Sequence, residues 1–135
     1  MIVPTFAIFS YFAEHAGSPA QSAREKALLD YKISEFKKQV AAGVEFAVGS
    51  DVGPFPHGTQ AVEMELMVRY GMTPAAVLQA DLLHGAKLLG WEGQIGQLKP
   101  GFYADVVAVE GNPLEDITAL ERVKFVMKGG KIVKE

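Results

Sequence analysis

The chain has 135 residues, a length that suits one domain with a core of its own. Its apolar share of 49% and charged share of 21% are typical of a globular protein and exclude a disordered polar chain. The 13 basic and 16 acidic side chains give a net charge of −3, so the excess positive charge that nucleic-acid binding needs is missing. We therefore expect no nucleic-acid partner.

The sequence contains no cysteine, which excludes disulfides, thiolate nucleophiles and cysteine-bound metals and agrees with a cytoplasmic location. Any metal would have to be bound by histidine, aspartate, glutamate or a modified lysine. The apolar residues 2–13 are too few to span a membrane. A signal peptide needs basic residues before its apolar stretch, and the first basic residue here is Arg24. We expect these residues to be folded structure, with no membrane partner.

The chain opens with alternating strand and helix signals. Residues 2–6 are rich in β-formers, and Pro4 places them at the start or edge of a strand. Ser18 and Pro19 predict a helix N-terminus, and Gly43 predicts the end of this helix. Its core-facing positions are predicted to be Leu29, Ile33, Phe36 and Val40.

A second short β run, residues 44–48, follows that helix and leads to Asp51. Helix, glycine, apolar strand and polar tip form the αβ unit of a parallel sheet or barrel. In such folds the residues after the strands face the crevice where ligands bind. Asp51 is therefore a candidate metal ligand or general base, and a turn or helix-capping aspartate is the alternative.

The other ionisable side chains near this crevice are candidates of different kinds. His57 lies in a loop of restricted shape, residues 53–58, and is a candidate substrate-binding residue, metal ligand or proton shuttle, with a surface histidine as the alternative. We interpret His15 and His84 as structural. Glu63 and Glu65 point in different directions on a helix and form no acid–base pair. We interpret Glu63 as compensating a helix dipole.

Two more helices are predicted after this loop. Thr59 is expected to cap the first, which ends at Gly71, and Thr73-Pro74 begins the second, which ends at Gly90. The predicted apolar faces are Val62, Leu66, Met67 and Tyr70 in the first helix and Val77, Leu78, Leu82, Ala86 and Leu89 in the second.

Beyond Gly90 the sequence changes to glycine, proline and short β-branched runs. Four strands are predicted, at residues 95–98, 104–109, 123–127 and 131–133, with Gly129-Gly130 as a hairpin turn. We therefore divide the chain into an α/β segment, residues 1–90, and a β segment, residues 91–135.

Six segments form an ordered set of motifs: residues 43–53 (GVEFAVGSDVG), 56–58 (PHG), 72–74 (MTP), 86–90 (AKLLG), 95–109 (IGQLKPGFYADVVAV) and 111–114 (GNPL). Together they resemble the C-terminal part of the metal-dependent amidohydrolase superfamily. Within it, the chain is most similar to the imidazolonepropionase-like and Xaa-Pro dipeptidase-like subgroup. The resemblance covers nearly the whole chain.

The resemblance implies an α/β fold, the C-terminal part of a (β/α)8 barrel with its last two strands and helices, followed by part of a small β-sandwich. Residues 3–6 would form the seventh barrel strand and residues 44–48 the eighth. Asp51 would then match the aspartate after strand eight, which binds a divalent metal, zinc in our prediction, and shuttles a proton from water to the leaving nitrogen. The implied activity is hydrolysis of C–N bonds in a small-molecule or dipeptide-like substrate.

The family's other metal ligands, several histidines and a carboxylated lysine, have no counterpart in this sequence. One carboxylate cannot hold a catalytic zinc, which needs three or more protein ligands. We therefore expect a C-terminal fragment of a larger hydrolase or a truncated reading frame, inactive and metal-free by itself. The alternative hypothesis is a non-catalytic module that self-associates through exposed strand edges, and we expect a homo-oligomer.

Overall fold

Two units, Met1–Met72 and Thr73–Glu135, make up the computed structural model, which describes residues 1–135. The first unit contains the helices α1 (Phe6–Glu14), α2 (Pro19–Ala41) and α3 (Ala61–Arg69). The second contains α4 (Pro74–Gln79), a π-helical segment (Ala80–His84), α5 (Gly85–Leu88), the strands β1 (Val106–Val109), β2 (Val123–Lys128) and β3 (Lys131–Lys134), and a 3-10 helix (Ile117–Glu121). No helix has the length and apolar character that crossing a membrane requires.

The parallel pairing predicted for the first unit is present as one bridge, between Ile2 and Phe46. Two hydrogen bonds of 2.9 Å flank it, from the Ile2 N–H to the Glu45 carbonyl and from the Ala47 N–H to the Ile2 carbonyl. The extended strands expected at residues 3–6 and 44–48 are therefore wrong in extent. The physical reason is that the chain leaves the extended conformation at Thr5, whose φ is 54°, and enters α1 one residue later.

Helix α2 begins and ends where the sequence predicts. The Ser18 hydroxyl oxygen accepts from the Gln21 N–H at 3.2 Å, and Pro19 occupies the first helical position. At the other end Gly43 has a φ of 71°, which a residue with a side chain rarely adopts. Of the predicted core positions, Phe36 is buried, and Leu29, Ile33 and Val40 are half-buried.

Helix α3 also ends at its predicted glycine, Gly71, but its beginning differs from the prediction. Gln60 is the N-cap residue and makes no side-chain capping bond. The Thr59 hydroxyl instead donates to the Pro56 carbonyl at 2.7 Å, so Thr59 stabilises the preceding loop rather than capping the helix. Leu66 and Met67 are buried as predicted, and the other two predicted positions, Val62 and Tyr70, are half-buried.

A cluster of aromatic rings forms the centre of the first unit. The Phe6 ring contacts Phe36 and Tyr70 edge-on, with 4.9 Å between centroids in each pair, and Phe36 contacts Phe46 at 4.8 Å. Phe6, Phe36 and Phe46 are all at most 2% exposed. The start of α1, the C-terminal part of α2 and the segment before Asp51 therefore share one core.

In the second unit the predicted helix after Thr73-Pro74 is interrupted by the π-helical turn. The Thr73 hydroxyl caps the start as expected, accepting from the Ala76 N–H at 3.2 Å. The predicted apolar face is wrong in part, because Leu82 and Leu89 are 48% and 67% exposed. The wider π turn rotates the residues that follow it, and the buried positions of this stretch are Val77, Ala80 and Ala86.

The strands β1, β2 and β3 form an antiparallel sheet in that order. The Gly129-Gly130 hairpin turn is confirmed, with φ values of 56° and 80° that match a primed turn. The strand expected at residues 95–98 is wrong. Gly96 has a φ of 84° and lies so close to the Leu82 carbonyl that a Cβ would be 2.3 Å from its oxygen, so this segment packs as a turn. The division at residue 90 stays a prediction.

Candidate functional site at the Asp51 loop

Asp51 lies at the carboxyl end of the extended segment that pairs with Ile2. Its side chain is exposed, whereas Ser50 immediately before it is buried. Its φ is 52°, in the left-handed region, which aspartate tolerates better than most residues but still populates rarely. Uncommon backbone conformations of this kind cluster at functional sites. The conformation turns the chain sharply away from the segment and begins a loop, residues 51–60.

The segment paired with this one ends in the same way. Thr5 and Asp51 are the two non-glycine residues of the chain with positive φ. The two segments also approach closely, since a Cβ on Gly49 would lie 2.7 Å from Cγ1 of Val3. Because the segments run parallel, Thr5 and Asp51 both follow carboxyl ends, which places two sharp turns at the same edge of the pair.

The Asp51 loop is held by bonds within itself and by a contact with α1. The Gly58 N–H donates to Oε1 of Gln60 at 2.7 Å, in addition to the bond between Thr59 and Pro56. The ring of Phe55 lies 6.0 Å from that of Tyr11 in α1. His57 is exposed on this loop and is therefore accessible to a ligand.

The other two histidines differ from each other in environment. The His15 ring stacks on Tyr11 with 4.1 Å between centroids, and its Nδ1 bonds to the Tyr11 carbonyl at 3.0 Å. These contacts favour the structural interpretation of His15. His84 lies half-buried in the π-helical segment of the second unit.

The most buried ionisable side chain is Glu63, in the first turn of α3. It is 0% exposed, and its two carboxylate oxygens accept from the Phe6 N–H at 2.9 Å and the Ala7 N–H at 2.7 Å. Glu63 thus lies in the first turn of its own helix, as predicted, and also bonds to the positive end of the α1 dipole. Sequence reasoning identified a dipole role and missed the partner, because the bonded residues lie 57 and 56 positions away.

Burial gives Glu63 an unusual titration. Removal from water raises the pKa of its carboxyl to about 7, against the lowering effect of the N–H groups of Ala7, Phe6 and Thr5 and of the nearby Lys32 charge. The pKa of Lys32 is lowered, also mainly by burial. The Lys32 ammonium lies 3.9 Å from the centroid of the Phe9 ring, which holds this charge over α1.

A groove with a volume of about 420 Å³ lies in the first unit among the three helices and the Asp51 loop. Its walls include Ser10 and Tyr11 of α1, Phe55 and Thr59 of the loop, and Arg69 of α3. Neither Asp51 nor His57 is part of its walls. The groove and the predicted catalytic residue are therefore separate features of this unit.

The residues present do not make a complete metal site. Asp51 is the predicted ligand, and no three histidine, aspartate or glutamate side chains of the chain lie close enough to share a metal ion. A catalytic zinc needs at least three protein ligands. Of the expected ligand set, the chain offers Asp51.

Comparison with known proteins identifies a family. The model of the amidohydrolase family matches residues 6–133. Among curated proteins, ochratoxinase from Aspergillus niger is 38% identical over 117 residues, which are 83% of this chain and 24% of that protein. Imidazolonepropionase from Geobacillus kaustophilus is 28% identical over 108 residues, 76% of this chain and 26% of that protein.

A solved structure with a similar fold is that of a Xaa-Pro dipeptidase with bound methionine in the active site. It is 34% identical, and the TM-score is 0.87 over 98% of this chain and 34% of that one. The chain thus spans about a quarter to a third of the length of the proteins it matches. The predicted α/β fold, the C-terminal part of a barrel and its sheet domain, is confirmed, and the chain belongs to the amidohydrolase family.

Proposed function

We propose that this chain supplies Asp51 to the active site of an amidohydrolase that cleaves C–N bonds in amides, cyclic amides or peptides. One observation carries the proposal. In a chain of this family, an exposed aspartate in a strained left-handed conformation follows the carboxyl end of a parallel-paired segment. Ligands of α/β proteins bind at such ends.

The chemistry assigned to Asp51 is proton transfer. Its carboxylate would accept a proton from the attacking water and return it to the nitrogen as the C–N bond breaks. A divalent metal, zinc in our prediction, would activate the water, and Asp51 would be one of its ligands. The other ligands would have to come from residues outside this chain, because no three potential ligands of the chain lie together. His57, exposed on the same loop, is proposed to contact the substrate.

The substrate class is proposed from the relatives. A Xaa-Pro dipeptidase acts on dipeptides, and its structure holds methionine in the active site. A small-molecule or dipeptide-like substrate therefore agrees best with both the resemblance and the comparisons. A cytoplasmic location remains part of the proposal.

Asp51→Asn tests this function in an active protein that contains this chain. Asparagine also tolerates the left-handed conformation, so the fold should be retained. Loss of the proton-accepting carboxylate should lower kcat for Xaa-Pro dipeptides or related amides by about a hundredfold or more. Asp30→Asn, on the exposed face of α2, is the matched control and should leave kcat unchanged. Near-normal turnover by Asp51→Asn would reduce Asp51 to a structural residue.

Metal content gives a second test of the same proposal. With Asp51 as the one ligand, the 135-residue chain should retain no stoichiometric zinc after dialysis against a weak chelator. Retained zinc would mean that other ligands assemble, and His57 and His15 would be the first to substitute.

A non-catalytic, self-associating module is the second candidate, and the exposed apolar side chains of the second unit favour it. Leu88, Leu89 and Leu98 are 55%, 67% and 81% exposed. Exposed apolar surface of this kind promotes association. Light scattering at micromolar concentration should then report a dimer or larger particle, and a monomer would exclude this candidate.

A further inference from the structure

We infer that Glu63 is the positioning residue of the Asp51 loop, and that it fastens the far end of the loop to the turn at Thr5–Ala7. This inference deepens the proposed function, on which it rests for the role of Asp51. It makes a claim of its own about which contact determines the conformation of residues 51–60.

The two ends of the Asp51 loop are attached to the same short stretch of chain. Before the loop, the Ala47 N–H donates to the Ile2 carbonyl, four residues ahead of Asp51. After the loop, Glu63 accepts from Phe6 and Ala7, three residues beyond the loop's end at Gln60. Residues 2–7 therefore form the base from which the loop extends, and Glu63 is its second attachment.

The Glu63 carboxylate also matches the unusual backbone of that base. A left-handed residue followed directly by a helix directs successive N–H groups toward one point, where an anion is favoured. Thr5 has the left-handed conformation and Phe6 begins α1, and the N–H groups of both act on the Glu63 carboxyl. The oxygens of an internal carboxyl group thus occupy the position of an external ligand and stabilise a turn that a β-branched threonine would otherwise avoid.

The Phe6 ring also contacts Tyr70 after α3, but the hydrogen bonds of this attachment depend on one dry side chain. Glu63 is 0% exposed, so water cannot replace its oxygens as partners of the Phe6 and Ala7 N–H groups. Buried N–H groups without acceptors are costly. The Phe55–Tyr11 contact is a second link between the loop and α1, but it is a ring contact with 6.0 Å between centroids and lacks the directionality of a hydrogen bond.

Glu63→Met tests the inference, since methionine keeps the length and helix propensity of glutamate and removes both acceptor oxygens. Amide hydrogen exchange would be measured on the full chain at pH 5. We expect exchange at Phe6, Ala7 and Gly58, the loop residue whose N–H donates to Gln60, to accelerate about tenfold or more, while the middle of α2 and β2 stay unchanged. Glu63→Gln, which keeps one acceptor oxygen, should be intermediate. Glu35→Gln, at an exposed ion pair of α2, is the control and should change neither region.

A second variant separates positioning from general stability. If Glu63 holds Thr5 in its left-handed turn, Thr5→Gly should relieve that need, because glycine adopts positive φ without strain. Glu63→Met should then accelerate loop exchange less in the Thr5→Gly background than alone. Three results would each overturn the inference. Glu63→Met could accelerate loop exchange equally with and without Thr5→Gly, it could leave loop exchange unchanged, or the single and the double variant could both unfold completely. None of these readouts needs turnover, so a failed test of Asp51 leaves them interpretable.

Discussion

A carboxylate binds backbone N–H groups of a distant segment in each of the two units, with opposite consequences. In the first unit Glu63 accepts from Phe6 and Ala7, and in the second Asp105 accepts from the Gly129 N–H at 2.7 Å and from the Lys128 ammonium. Glu63 is fully buried, whereas the Asp105 side chain is 27% exposed. Burial raises the pKa of Glu63 to about 7, and the hydrogen bonds from Lys128 and then Gly129 hold the pKa of Asp105 below its usual value.

The comparison shows that the surroundings determine what a carboxylate anchor contributes. Both anchors use short bonds to backbone N–H groups, which favour the ionised form. At Asp105 water and a lysine support the charge. At Glu63 the effect of burial on the pKa is larger than the opposite effect of the N–H groups. This anchor therefore makes short hydrogen bonds but is costly to ionise.

Glu63→Met should have the largest effect on stability among substitutions of the two anchors. At pH 5 the carboxyl is mostly neutral, so the variant loses its acceptors without being relieved of a buried charge. Two orphaned N–H groups should lower the free energy of unfolding by about 3 kcal/mol. Urea titration monitored by the helical circular dichroism signal, to which α1, α2 and α3 contribute most, would measure this. A loss below about 0.5 kcal/mol, the level of an ordinary surface substitution, would break the comparison.

The pH dependence of stability should sharpen the contrast. The folded-state pKa of Glu63 is above its ordinary value of 4.5, so its contribution is complete below about pH 4.5 and is lost as the pH rises through about 7. The stability of the wild type relative to Glu63→Met should therefore fall by about 3 kcal/mol between pH 4.5 and pH 8. Lys32, which faces Glu63 from α2, is present in both proteins. Parallel pH curves for the two proteins would contradict the assignment.

Asp105→Asn should have the smallest effect, because asparagine keeps an oxygen for the Gly129 N–H and loses only the attraction to an exposed lysine. The lowered pKa of Asp105 means that its contribution is present above its ordinary value of 3.8 and is lost as the pH falls through more acidic values. The melting temperatures of wild type and variant should differ at low salt and become equal at about 1 M salt, since salt screens exposed pairs. A cost equal to that of Glu63→Met would remove the distinction between the anchors.

The sequence predicts best where the cause of a structure is local. Ser18-Pro19, Gly43, Gly71 and the Gly129-Gly130 turn act through their own backbone and immediate neighbours, and the structure has each as predicted. The family resemblance likewise rests on short contiguous motifs, and it is confirmed.

The errors have distant causes. Residues 3–6 read as a strand because nothing nearby shows that Thr5 turns left-handed, a conformation supported by Glu63 on another helix. The exposure of Leu82 follows from a π turn that regular helical spacing does not contain. At the candidate site, Asp51 is recognisable from the motif, whereas its proposed positioning residue is 12 residues further along, and the hydrogen bonds of its carboxyl group go to Phe6 and Ala7 rather than to the loop.

The most direct test of the account is the titration of Glu63 itself, followed by 13C NMR of its side-chain carboxyl in the full chain. We predict a midpoint at a pH of about 7, with the amide protons of Phe6 and Ala7 shifting at the same midpoint. A midpoint near the ordinary value of 4.5, with both amides silent, would show that Glu63 is neither buried nor bonded to the start of α1.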